Sequence, residues 1–388
     1  MLHLISNAEL FDPAPRGRAH LLVAGERIVW VGAERPSLPA GLGVEETDLG
    51  GRRAIPGLVD GHVHLTGGGG EAGPHTRVPP VPLTRLTLGG VTTAVGVLGT
   101  DDVVRTPAEL ATVARGLTLE GLSAWCHTGG YHVPPATVTG SVRGDLVLVD
   151  LVLGVGELAI SDHRSSQPTL DELLRVAGDA HVGGLMSGKA GIVHLHVGDG
   201  PRGLEPIREA LDRSELPPRV FNPTHVNRRK ALFDEALELA ARGCTVDITA
   251  FPVGEDEDAW SAEAAVGRYL DAGLPADRVT VSSDGGGCLP VFDAEGRVAS
   301  MDVGSPAAPA AALRALLRAG RPLEQVLPAF TRNPAALLRL ERKGRLAPGT
   351  DADLVVLDGD GGIADVMARG RWHVRGGAPV VRGTFEQG

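Results

Sequence analysis

Through its long centre the chain alternates apolar, strand-like runs with helix-period stretches, which is the signature of parallel βα units. Eight runs read as strands: Ile55-Asp60, Val91-Val97, Ser123-Cys126, Leu153-Ile160, Ile192-Val197, Arg219-Asn222, Thr245-Thr249 and Val279-Ser283. The stretches Pro107-Glu120, Leu170-Ala180, Leu204-Arg213, Arg229-Arg242 and Ala259-Ala272 carry the helical period, and Ala307-Ala319 and Leu323-Leu340 would supply the final outer helices. Eight is the number of parallel strands that closes a (β/α)8 barrel of about 250 residues. At 388 residues the chain has room for one lesser domain besides. Short strands at both ends supply it: Leu2-Ile5, His20-Ala24 and Ile28-Val31 near the start, Asp353-Leu357 and Trp372-Val374 near the finish. The expected architecture is α/β, with a TIM-like barrel over residues 54–346 and a small β-sandwich-like domain made of 1–53 and 347–388.

Composition fits that frame and narrows the function. Apolar residues make up 43% of the chain but aromatics only 3%, so Leu, Val and Ala must fill the core, as suits buried parallel strands under Ala-rich helices. The formal charge of −11 is spread among interspersed acids and bases, which gives no field for nucleic acid or an anionic membrane. A small-molecule partner is expected. No apolar run reaches the roughly 18 residues of a membrane span, and Met1 to Phe11 lacks a basic leader region. Cys126, Cys244 and Cys288 are too few and too scattered for a disulfide framework or a Cys metal site, which points to a reducing cytoplasm.

In a barrel of this kind catalytic groups sit at the C-terminal ends of strands, so the residues found there carry the functional reading. The first strand runs into Asp60-Gly61-His62-Val63-His64, whose i, i+2 spacing sends both imidazoles to one side. Two such histidines are a ready pair of metal ligands. The fourth strand carries Glu157, the fifth ends in His194-Leu195-His196, the sixth runs into His225 and the eighth into Asp284. A single histidine is more often a hydrogen-bonded structural residue, and a strand-end aspartate is commonly a cap or turn. Isolated structural roles do not explain why all of them converge on one barrel mouth.

The order HxH, strand-four carboxylate, His, His, Asp resembles the amidohydrolase superfamily. Within it, LVDGHVHLTGGGGEAGP (Leu58 to Pro74) is similar to the metallo-type isoaspartyl (β-aspartyl) dipeptidases. LGTD at Leu98-Asp101, TGGYHVP at Thr128-Pro134, AISDHRS at Ala159-Ser165, PTHVNR at Pro223-Arg228, SSDGGG at Ser282-Gly287 and GTDADLVVL at Gly349-Leu357 extend the likeness along nearly the whole chain. The resemblance implies two zinc ions, with His62 and His64 on one, His196 and His225 on the other, and Asp284 as both ligand and proton shuttle. It implies attack on the side-chain amide by a hydroxide that bridges the metals, with Tyr131 hydrogen-bonding the developing oxyanion. His194 is left to packing or support. For the substrate it implies Glu71 on the ammonium, Gly69 and Thr100 as loop contacts, and Arg164 and Arg228 on carboxylates.

Two positions depart from the family pattern. The dipeptidases bridge their metals with a carboxylated lysine on strand four, whereas this chain has Glu157 there and no lysine before Lys189. A glutamate is already a carboxylate, so the expectation is a bridge of Glu157 and hydroxide that needs no CO2. Cys288 stands where the family has a serine beside the substrate; a tolerated swap is expected, although a thiol near zinc can also act as a ligand. Other readings stay open: a cyclic amidase or N-acyl-amino-acid deacylase sharing the metal ligands, and a non-catalytic assembly protein that kept only the barrel. The resemblance also implies a homo-oligomer.

Overall fold

The structure is a computed structural model that describes residues 2–39, 41–292 and 297–387. Met1, Ala40, residues 293–296 and Gly388 fall within the expected terminal and barrel spans and lie outside the described residues. Eight central strands follow one another: β1 (Leu58–Val63), β2 (Val91–Gly96), β3 (Ser123–Thr128), β4 (Val152–Ile160), β5 (Val193–Val197), β6 (Phe221–Thr224), β7 (Val246–Thr249) and β8 (Val279–Ser282). All nine residues of β4 are buried, as expected of a parallel strand covered on both faces.

The strands β1 to β6 form one curled parallel ladder in chain order, and β7 pairs in parallel with β8. Scattered contacts join the two ladders. Asn222 Nδ2 donates to Thr245 O at 2.7 Å and Thr224 Oγ1 to Asp247 Oδ2 at 2.7 Å, which links β6 to β7. On the other side His64 N donates to Gly285 O at 2.8 Å and Ser283 N to Asp60 Oδ1 at 3.1 Å, which links the end of β8 to β1. The described pairings are thus six strands plus two, where the sequence suggested eight in a single closed ladder.

Outer helices follow the expected spans, with ends fixed by local chemistry. Leu170–Ser187 starts at a capping box of Thr169 with Glu172 and stops where Gly188 turns left-handed at φ 73°, seven residues beyond the expected Ala180. Three boundaries are corrected. The first central strand starts at Leu58, because Arg53–Pro56 pairs instead with Leu354–Leu357 of the terminal sheet. Gly57 makes the break: a side-chain carbon there would overlap Thr92. The sixth strand starts at Phe221, since Pro218–Val220 forms a 3-10 turn. Leu323–Leu340 is not one helix but Leu323–Val326, a 3-10 turn over Leu327–Phe330, and Arg332–Leu337; Pro328 and Pro334 cannot donate the helical hydrogen bond.

Strands from both ends of the chain make one nine-stranded sheet in which Arg53–Pro56 lies between Leu2–Asp12 and Leu354–Leu357. Ile5, Leu10, Leu21, Ile28, Leu354 and Met367 are buried in its core. Among the described residues no helix is long and apolar enough to cross a membrane.

Candidate active site

The strand-end residues singled out in the sequence meet at one place. His62 lies on β1, His64 just beyond it, Glu157 on β4, His196 on β5, and His225 and Asp284 on the turns that follow β6 and β8. Each is buried, with 9% or less of its surface exposed. His225 and Asp284 hold positive backbone angles, φ 61° and 52°, which non-glycine residues seldom adopt and which cluster at functional sites. A bulge presents Glu157: β4 advances three residues from Val155 to Leu158 while β5 advances two, and such an extra residue re-aims a side chain.

The spacings inside the cluster are those of ligands around an ion. His64 Nε2 is 3.3 Å from Glu157 Oε1 and 3.1 Å from Asp284 Oδ1, and His62 Nε2 is 3.7 and 3.4 Å from the same oxygens. Glu157 Oε2 faces His196 Nδ1 at 3.1 Å and His225 Nε2 at 3.3 Å. Two ligand atoms each about 2.1 Å from one tetrahedral ion lie about 3.4 Å apart. His62 Nε2 and Asp284 Oδ1 are buried without a hydrogen-bond partner, a costly state that a cation relieves. His62, His64 and Asp284 form one group able to hold an ion, and His62, Glu157 and His225 another.

The electrostatics favour added positive charge. Burial alone would depress His64, but the neighbouring carboxylates of Asp284 and Glu157 outweigh it and push its pKa up to about 10. Both carboxylates resist the desolvation of burial and are held well below the usual range by the surrounding histidines. Burial pushes His225 down to about 4, so its imidazole is neutral at pH 7, the form that ligates metals. Outer partners fix the rings. His225 Nδ1 lies 2.8 Å from Thr249 Oγ1, and His62 Nδ1 lies 2.8 Å from His194 Nε2, whose Nδ1 in turn meets Asn222 Oδ1 at 2.7 Å. His194 is thereby placed behind His62, away from the cluster centre.

A cavity of about 690 Å³ opens over the cluster and is lined by every predicted site residue except His62, which lies beneath. Glu71 accepts from Thr100 Oγ1 at 2.7 Å with one oxygen, and its other oxygen is buried without a partner. Arg164 Nη1 is 3.6 Å from Glu71, and Arg228 Nε pairs with Asp199 at 3.0 Å. The Tyr131 hydroxyl lies 2.8 Å from His196 Nδ1; burial, then Glu157, raises its pKa well above the ordinary value, so it keeps its proton. The run Gly67-Gly70 has a steric reason: Gly67 and Gly69 take φ 79° and 80°, and a side-chain carbon on either would collide with the carbonyl of Val78 or Thr76. Cys288 lines the cavity, and burial, then Glu71, pushes its thiol up to about 11.

Sequence reasoning passed over several residues. Arg105 is buried and donates to the carbonyls of Thr66, Gly67 and Val78, which clamps the glycine loop. Phe251, Leu289 and Val291 form an apolar wall of the cavity. Asp162 lies between His196 and Arg164. Only Asp162 carried a signal, being part of AISDHRS, yet nothing in that stretch tells which side chains touch.

The amidohydrolase family profile matches residues 171–373, just over half of the chain. The chain belongs to the amidohydrolase family and is a hydrolytic enzyme. It is similar to the β-aspartyl dipeptidase of the thermophilic, keratin-degrading Fervidobacterium islandicum AW-1 in complex with β-Asp-Leu, at 42% identity over 98% of each chain with a TM-score of 0.91. A second structure of that organism's β-aspartyl dipeptidase is 40% identical over 98% of each chain, with a TM-score of 0.89. A deacetylase of Agrobacterium fabrum is 30% identical over 178 residues, which is 42% of this chain and 43% of that relative, so the chain spans under half of its length.

Proposed function

We propose that this chain hydrolyses β-aspartyl dipeptides at a binuclear zinc centre. The observation that carries the reading is the cavity itself, where the unpartnered oxygen of Glu71 and the guanidinium of Arg164 stand over a buried cluster of four histidines and two carboxylates. A β-aspartyl dipeptide presents an ammonium, two carboxylates and an amide, which complement Glu71, Arg164 together with Arg228, and the buried cluster in turn. The likeness to the Fervidobacterium enzyme supports the same substrate class.

The donor set fits two zinc ions. His62, His64 and Asp284 would hold one, His196 and His225 the other, and Glu157 would lie between, its backbone bulge offsetting a side chain shorter than a carboxylated lysine. When bound, such ions lower the pKa of water toward 7 and polarise a carbonyl. The chain supplies the rest. Glu71 binds the substrate ammonium, and Arg164 and Arg228 orient its carboxylates. The O–H of Tyr131 donates to the carbonyl oxygen as charge develops there. Asp284, ionised in the cluster, takes a proton from the attacking water and delivers it to the nitrogen of the breaking C–N bond, so that the product leaves as an amine.

The same reading includes closure of the two ladders into one eight-stranded barrel over residues 58–346, with 1–56 and 347–388 as a β-domain, and assembly into a homo-oligomer. Contacts at both seams support the closure. Three unpaired cysteines support a reducing, cytoplasmic setting.

The test is hydrolysis of β-Asp-Leu against α-Asp-Leu by zinc-loaded protein, with zinc per chain measured on the same sample. Cleavage of the β-linked peptide alone, with two zincs, is expected. Two zincs without cleavage would transfer the site to another amide, and protein that takes up no zinc would overturn the binuclear zinc reading. Glu71→Gln is expected to lower kcat/KM for β-Asp-Leu by about 10- to 100-fold, the worth of one charged hydrogen bond. Unchanged kinetics would mean that the ammonium is bound elsewhere.

A further inference from the structure

We propose that Asp162 is a positioning residue, which holds His196 with Nδ1 turned to Glu157 and, with the same carboxylate, holds Arg164 across the cavity. The inference rests on the reading of His196 as a metal ligand.

Asp162 is buried two residues beyond the end of β4. Its Oδ1 accepts from Arg164 N at 2.7 Å and Arg164 Nε at 3.0 Å, and its Oδ2 from Arg164 Nη2 at 2.8 Å. The same Oδ2 lies 3.0 Å from His196 Nε2. A carboxylate already receiving three N–H groups offers the imidazole a lone pair, so His196 carries its proton on Nε2. Its free lone pair is then on Nδ1, the nitrogen 3.1 Å from the Glu157 oxygen at the cluster.

That outcome is contested locally. Arg164 Nη2 and Arg228 Nη1 each lie 3.4 Å from His196 Nε2, and both can only donate. Without Asp162 these two groups would favour a lone pair on Nε2 and so place the proton on Nδ1, the nitrogen that must ligate. Asp162 is the group nearest to Nε2, and on the other side of the ring the Tyr131 hydroxyl, 2.8 Å from Nδ1, can donate there while Glu157 Oε2, 3.1 Å from Nδ1, is turned to the proposed ions, so Asp162 holds the proton on Nε2. Fixing a ligand histidine through its other nitrogen is a general device of metal sites. The fold also reserves space for it: Gly198, the residue after β5, packs where any side-chain carbon would collide with Asp162. One carboxylate thus couples a metal ligand to a residue assigned to substrate binding.

The test uses zinc-loaded full-length protein carrying Asp162→Asn or Arg164→Met. In Asp162→Asn the affinity of one zinc, measured by chelator competition, should fall about 10- to 100-fold while the other is retained, and KM for β-Asp-Leu should rise. Arg164→Met keeps the contact between Asp162 and His196, so KM should rise with both zinc affinities within about threefold of the parent. Two zinc affinities unchanged in Asp162→Asn would overturn the proposal. So would a zinc loss in Arg164→Met, a result that needs no folded Asp162 variant. Parent protein with fewer than two zincs would defeat this inference together with the binuclear reading. Parent protein with two zincs and no action on β-Asp-Leu would defeat only the substrate reading, since the zinc affinities still decide the role of Asp162.

Discussion

Asp284→Asn is expected to lower kcat by about 1,000-fold, within the range that general acid–base groups contribute, while the protein remains folded. The amide is nearly isosteric with the carboxylate, and Asp284 belongs to a turn whose backbone is tied by Gly287 N to Asp284 O at 2.9 Å, a bond the substitution keeps. What is lost is the proton carrier. Asp284 resists burial because His62 and His64 hold it ionised, and an asparagine in its place can neither accept the proton nor deliver it to the leaving nitrogen. Steady-state kinetics with zinc content measured alongside would check the point. A variant that turns over within tenfold of the parent would remove Asp284 from the acid–base role.

Glu157→Gln is expected to strip the protein of most of its zinc and of all measurable turnover, and bicarbonate should restore neither. The carboxylate of Glu157 is the common neighbour of His64 on one side and of His196 and His225 on the other, at 3.1 to 3.3 Å. Replacing it by a neutral amide leaves four buried histidines around an N–H donor, which repels a cation rather than binding it. The parent enzyme, stripped by chelator and reloaded with zinc alone, should recover fully in CO2-free buffer. Recovery that depends on bicarbonate would show that Glu157 does not serve as the bridge and that a carbamate forms elsewhere.

The strands were the most legible part of the fold, because parallel strands buried on both faces read as short runs rich in apolar and β-branched residues: Leu153-Ile160 and Thr245-Thr249 lie within a residue of β4 and β7. Short or exposed elements were not legible. Leu83–Leu88 and Val142–Leu148 each span fewer than two full helical turns, so no period stands out. The hairpin Cys288–Phe292 with Val298–Val303 is largely exposed on its second strand and lacks an apolar alternation. For the site, residue types and strand-end positions could be read from the chain and the structure brings those residues to one cavity. The bulge at Glu157 and the wrapping of Arg164 around Asp162 could not, since each depends on backbone register and on side-chain direction rather than on spacing.

The seam between β8 and β1 has a consequence for biosynthesis. Ser283 and Asp60, which meet there, are 223 residues apart in the chain, and His62, His64 and Asp284 stand on opposite sides of that joint. Contacts of such separation form late, since the entropy of closing the long loop between them must be met before they contribute. A ribosome-bound chain that has not yet released its eighth central strand therefore lacks Asp284, the donor that completes the set around His62 and His64, and the enzyme gains its chemistry only when the first and last central strands dock.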